Sequence, residues 1–213
     1  MQGLLLNNFY SMQNNIKTSF GIALCLLFVS FVAGDTSVLN AVIAAQIMVF
    51  PVNVGASLQI DEASKWSRIE ITLPIKRKTI IDAKYISFIM LILMGTAISL
   101  FTPVLFYLRD LDTTSYLNLS SGYTMGLSLS ISTISILYPV ILRFGVEKSE
   151  MMIFVSSGLS VVIRILVWVL LRLIWDNVNF NGSEVGFASL IVAVVMFVAS
   201  YLLSVQIHRN KEF

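Results

Sequence analysis

Charge is scarce in this sequence. Asp, Glu, Lys and Arg make up 12% of its 213 residues, about half of what a water-soluble domain uses to cover its surface. The longest polar stretch, roughly Asp61 to Lys84, is far too short to bury a core of its own, so there is no room for a soluble domain. Cysteine occurs once, as Cys25 in an apolar run, which excludes an intrachain disulfide and a thiolate metal site. The single histidine, His208, stands beside Arg209 in a polar tail and is expected to be solvated. No Cys/His cluster, no Ser–His–Asp set with a plausible shared site and no nucleic-acid motif is present. No Gly-x-x-x-x-Gly-Lys-Ser/Thr phosphate loop occurs either, so the chain has no means to hydrolyse ATP itself. None of the apolar runs alternates with the period of two that a membrane barrel requires.

What is abundant is apolar residues, 57% of the chain, giving a mean hydropathy of +0.86. A membrane-spanning helix needs about 20 mostly apolar residues. Six runs meet that length or approach it: Ile16–Ala33, Val38–Gln59, Ile86–Leu108, Gly122–Leu142, Met151–Ile174 and Phe187–Gln206. The expected fold is an all-α integral membrane protein with six transmembrane helices in a single domain, 1–213. The first run is short and starts with Lys17. It does not read as a cleavable signal sequence, because its leader lacks positive charge and Phe31 fits poorly two residues before Ala33. No repeat links the two halves.

Positive charge orients the bundle. Lys65, Arg68, Lys76, Arg77, Lys78 and Lys84 precede the third run, Arg143 and Lys148 lie between the fourth and fifth, and Arg209 and Lys211 are in the tail. With Lys17 these fall on one side. The opposite connections hold only Arg109, alongside Asp35, Asp110, Asp112, Asp176 and Glu184. The positive-inside rule then places both termini in the cytoplasm.

Residues 1–15 have a pattern of their own. Leu5, Phe9, Met12, Ile16 and Phe20 recur on one helical face, with Asn7, Asn8, Ser11, Asn14 and Asn15 on the other. This predicts an amphipathic elbow helix in the interface before the chain turns into the membrane, acting at least as an anchor.

The loop between the second and third runs is the most informative stretch. Asp61 and Glu62 suit a first helical turn, because acidic side chains favour the positive end of a helix. Trp66, Ile69 and Leu73 follow on one face, and Pro74 stops the helix. A short amphipathic helix over 61–73 is therefore expected at the cytoplasmic end. Its basic sequel, Lys76 to Lys84, suits anionic lipid headgroups; the tryptophan and the acidic start suit a protein groove better.

These residues carry a resemblance. Glu62, Trp66 and the run Leu73-Pro74-Ile75-x-Arg77-x-x-Ile80-x-x-x-Lys84-Tyr85, with the opening Gly3-Leu4-Leu5-Leu6-x-x-Phe9-Tyr10, resemble small permeases of type-2 ABC exporters. More narrowly, the chain is similar to the permease subunits of the staphylococcal phenol-soluble modulin exporter. The likeness covers the whole layout, except that 175–186 is too short for the re-entrant helices many type-2 exporters place between spans five and six. The resemblance implies that 61–73 is a coupling helix seated in a cleft of a separate ABC ATP-binding subunit, with Glu62, Lys65, Trp66, Arg68, Ile69 and Leu73 as contact residues. It also implies a second permease chain, identical or related, ATP and magnesium held by the partner subunit, no cofactor on this chain, and amphipathic peptide cargo leaving a bacterial cell across its membrane.

Polar residues inside the spans are costly, and Arg164 sits near the middle of the fifth. An arginine there costs roughly 2.5 kcal/mol or more, which argues against a lipid-facing position. It either bonds carbonyls or Ser/Thr hydroxyls of a neighbouring helix, or lines a wet path and meets cargo carboxylates. Arg172 is about 80° around the helix from it, close enough to border one cavity, or to snorkel to the headgroups. Gln46 and Asn53 share one face of the second run and are expected to look into the bundle. Together these four form a candidate substrate path. Gly122, Gly126 and the serines of the fourth run suit close helix packing, and Pro51, Pro103 and Pro139 mark expected kinks. Two other functions compete with transport. A structural or regulatory subunit would not need the Trp-bearing helix, and an intramembrane lipid-modifying enzyme would need clustered Asp, Glu or His that the spans do not offer.

Overall fold

The computed structural model describes residues 2–33, 36–66, 77–109, 119–146, 149–175 and 178–210, and all its regular elements are helices. They are α1 (Gln2–Ala33), α2 (Thr36–Val49), α3 (Asn53–Ala63), α4 (Arg77–Ser99), α5 (Phe101–Arg109), α6 (Leu119–Phe144), α7 (Ser149–Ile174) and α8 (Ser183–Asn210). Five segments among the described residues are long and apolar enough to cross a membrane: Ser37–Ala63, Lys78–Phe106, Leu119–Phe144, Ser149–Ile174 and Ser183–Arg209. The apolar second half of α1 completes the six runs read from the sequence. Asn8 near the start of α1 and Ser204 near the end of α8 both bond the first turns of α4, so the described ends of the chain lie at one end of the bundle.

The expected elbow is not a separate element: residues 2–33 form one unbroken helix. The cause is a continuous inward stripe. Leu4, Asn8, Met12, Ser19, Ala23 and Leu27 are all buried, at helical spacings that run straight past residue 16. Phe20, read as part of the apolar face, is exposed. Asn8, read as part of the polar outer side, is 1% exposed and bonded inside the bundle.

Prolines act in three ways. Pro51 ends the second run's first helix, because its ring blocks the preceding turn and it has no N–H to donate. The chain turns there through the bonds Asn53 N–H to Phe50 O and Val54 N–H to Pro51 O, both 3.0 Å, and α3 follows. Pro103 lies in the first turn of α5, where no N–H is needed. Pro139 is accommodated within α6 without a break.

The central helix is α6, packed against α8, α2 and α7. Its contact with α2 is close because Gly122 and Gly126 present no side chain. A Cβ on Gly122 would lie 2.9 Å from the Asn40 Cα, and one on Gly126 3.0 Å from the Ala44 Cα. The packing reading of these residues is what the structure shows. A main core of Met12, Phe50, Val54, Phe88, Leu91 and Leu137 fills the centre. Beside it Tyr85 packs against Phe88, Tyr138, Phe197 and Tyr201, with ring centroids 5.1–5.6 Å apart, while its hydroxyl meets the Ser200 and Ser204 hydroxyls at 2.7 and 3.0 Å. By contrast α7 is peripheral. Phe154, Leu159, Leu166, Leu170 and Leu173 are exposed on it, as lipid-facing side chains are in a bundle that spans a membrane.

Candidate functional site

Only four residues of α7 are buried: Ser149, Ser156, Ser160 and Arg164. The last three recur every fourth residue, which places them on one face, and that face meets α6 and α8. Ser160 Oγ accepts from Thr133 Oγ1 at 3.1 Å. One turn further along, Arg164 enters between the helices with 2% of its surface exposed.

Its Nη1 donates to Ser189 Oγ of α8 at 3.1 Å and to Ser128 Oγ of α6 at 3.3 Å. Both hydroxyls can accept because each gives its own proton to a carbonyl, Ser189 to Gly186 O at 2.9 Å and Ser128 to Met125 O at 3.0 Å. The other edge of the guanidinium differs. Nε and Nη2 are buried and have no hydrogen-bond partner among the described residues. A guanidinium does not shed its proton in proteins, so an unmatched charge remains there.

That charge borders a cavity of about 660 Å³ at the end of the bundle away from the termini. Its walls include Asn40 and Ala41 of α2, Ser121 and Met125 of α6, and residues 179–182 ahead of α8. Among the described residues lining it there is no carboxylate. Phe180 closes one side, its ring 5.4 Å from the Arg164 guanidinium carbon. Trp168 stacks edge-on to Phe180 at 5.8 Å and donates its indole N–H to Val178 O at 3.1 Å. The 178–182 segment is thus fastened back over α7.

The four path residues expected from the sequence are not brought together. Arg172 is exposed and lies over the Trp168 ring, its guanidinium carbon 5.4 Å from the centroid. Gln46 is fully buried between helices; it donates to Ala23 O at 3.1 Å and accepts from Thr102 Oγ1 at 2.6 Å. Asn53 donates to Ser19 Oγ at 2.9 Å. Both amides are bonded between helices, and Arg164 lines the cavity described above. Trp168, Phe180 and Ser189 were not singled out, and Ser128 was read only as one of the packing serines of the fourth run. The i, i+4 series Ser156–Ser160–Arg164 was legible and points to the inward face of α7.

At the other end of the bundle lies a second polar cluster. Asp61, Glu62 and Ala63 are the last turn of α3, not the first turn of an interfacial helix. Nothing between Gln59 and Asp61 breaks the helix. It continues until Ser64 N–H bonds Ile60 O at 2.9 Å and Lys65 adopts a left-handed φ of 54°. Asp61 is buried because it pairs with Lys84 of α4. Lys84 is therefore an internal cation at 5% exposure, not part of a headgroup-binding surface. It also donates to Asn8 Oδ1 at 2.7 Å, and Asn8 Nδ2 donates to Ser87 Oγ at 3.1 Å. His208, expected to be solvated, is 8% exposed.

Of the expected coupling residues, Glu62 and Lys65 are exposed and Trp66 is half-buried against a cluster of Leu4, Ile80 and Ala83. Arg68, Ile69 and Leu73 lie outside the described residues. Among the described residues no group of His, Cys, Asp and Glu could hold a metal ion.

Comparison with curated proteins and with solved structures gives no match. A family model described as ABC-2 family transporter protein matches residues 3–209. Such a protein is the multi-pass membrane component of an ABC transporter, generally not catalytic itself, and works with an ABC ATP-binding subunit. On nearly its whole length, then, the chain belongs to the ABC-2 transporter family, as a permease subunit.

Proposed function

We propose that this permease exports amphipathic or hydrophobic cargo, with peptides of the phenol-soluble modulin kind as its class, out of a bacterial cell. Two permease chains, identical or related, pair above two ATP-binding subunits, which hold the ATP and magnesium. Both termini and the 61–73 region face the cytoplasm. The region from Glu62 through Trp66 to Leu73 meets the ATP-binding subunit and passes its closure to α3 and α4, to which it is directly joined.

One observation carries the transport reading: a buried, half-satisfied cation beside a polar cavity inside an otherwise apolar bundle. A subunit with only a scaffolding role has no use for an arginine whose Nε and Nη2 lack partners, since each costs desolvation without return. A transport path does, because a passing polar group meets that edge transiently. The direct test is ATP hydrolysis by the reconstituted permease–ATPase complex with and without amphipathic peptides. Stimulation by such peptides, and none by small polar solutes, is the expected result. Indifference to all peptides refutes the cargo class.

A further inference from the structure

The unpaired edge of Arg164 has a shape as well as a charge. A guanidinium offers two kinds of fork, and the side-on one is Nε–H with Nη2–H, two parallel donors that match the two oxygens of a carboxylate. Here the serines occupy Nη1 alone, and the atoms left without partners are Nε and Nη2. Nη1 bonds serines of two helices, and the Phe180 ring lies 5.4 Å from the guanidinium carbon. Beside it Asn40 Oδ1 accepts the Gly122 N–H at 3.2 Å, which assigns the amide NH2 of Asn40 as a further donor at the cavity wall. Ala41 and Met125 supply apolar surface for whatever carries the acid group.

We infer that the cavity between α2, α6, α7 and residues 179–182 is a carboxylate-recognition site. There Arg164 grips a carboxylate of the peptide cargo side-on through Nε and Nη2. This rests on the peptide-export reading for the identity of the ligand. The site lies about ten residues, or roughly 15 Å of helix, below the α7 end away from the termini. A carboxylate held there is far from the region assigned to the ATP-binding subunit, so it belongs to a late stage of outward passage. The same two donors would fit a phosphate. The peptide is favoured because the cavity joins its cation to neutral amide and apolar walls, without a second cation among its described lining residues to balance a lipid phosphate.

The test measures binding and stimulation separately. A fluorescent amphipathic peptide is prepared in its parent form and in a neutral form, amidated at its C-terminus with Asp and Glu changed to Asn and Gln. Both are titrated onto the purified permease in nanodiscs, with empty nanodiscs subtracted, and then onto the ATPase complex. The wild type should bind the parent about tenfold or more tightly than the neutral form, the loss expected when a charge-assisted bond is removed. Arg164→Lys keeps the charge and the bonds to Ser128 and Ser189 but has no side-on fork, and should lose most of that difference. Arg164→Gln should lose all of it. Equal binding of the two peptides by the wild type, or full discrimination by Arg164→Lys, overturns the inference. So does a wild type indifferent to peptide charge but stabilised by anionic phospholipid through Arg164, which would make the occupant a headgroup. Discrimination in binding with no stimulation of ATP hydrolysis by either peptide would keep the site and refute the export reading instead.

Discussion

The ammonium of Lys84 bonds the carboxylate of Asp61 across 23 residues of sequence, joining the end of α3 to α4 in the interior. An acidic side chain at the end of a helix opposes the helix dipole, and a buried charge without a partner is costly. Each residue is therefore tolerable only because of the other. Asn8 ties α1 to the same pair, so three helices meet at one polar point at the end of α3.

Removing one member of this pair strands the other. Lys84→Met is expected to destabilise the fold by about 3–5 kcal/mol, and Asp61→Asn combined with it to recover much of that loss. Melting temperatures of the detergent-solubilised single and double variants check this. Additive losses in the double variant would mean that the two charges do not act as a pair.

The crossing of α2 and α6 depends on missing side chains. Gly126→Val would push a branched side chain into Ala44 and Ile47 and is expected to cost about 1–3 kcal/mol, the usual penalty of overpacking. Gly158→Ala on α7 meets nothing within 4 Å and serves as the control, with a melting temperature at or above that of the wild type.

Trp66 separates two roles. Its ring packs on Leu4, Ile80 and Ala83, while its Nε1 is buried and has no partner among the described residues. Trp66→Ala should weaken association with the ATP-binding subunit by tenfold or more, since aromatic anchors at interface hot spots contribute about 2 kcal/mol or more. Trp66→Phe should keep the melting temperature and bind with intermediate strength. Wild-type association by both variants would confine Trp66 to packing within its own chain.

The spans were legible because about 20 apolar residues in a row leave few alternatives to a membrane helix. Boundaries and breaks were harder. Pro51 was read as a kink and proved a complete interruption, whereas Pro139 left α6 intact. Asp61 misled because an acidic residue near a loop looks like a helix start. Its actual partner, Lys84, was hidden in a basic run that resembled a lipid-binding patch. Polar spacing in α1 was read as an outward face, although Asn8 faces Lys84 and Ser87. Arg164 was recognisable from cost alone. The cavity was not, because Phe180 and residues 179–182 reach it through a fold-back that no local pattern announces.

Orientation can be read with single cysteines in a Cys25→Ala background. Ser183 and Ser64 are both exposed and lie at opposite ends of the bundle. An impermeant thiol reagent applied to intact cells should label Ser183→Cys and leave Ser64→Cys unmodified until the membrane is opened. The reverse pattern would turn the bundle over and place the 61–73 region out of reach of ATP.

Outward peptide transport driven by ATP is measured most directly in inverted vesicles containing the permease and its ATP-binding subunit, with labelled amphipathic peptide and ATP outside. Time-dependent accumulation of the peptide inside, abolished when ATP is replaced by a non-hydrolysable analogue, is what the account predicts. Peptide that stays outside while ATP is hydrolysed, or that moves equally without hydrolysis, would contradict it.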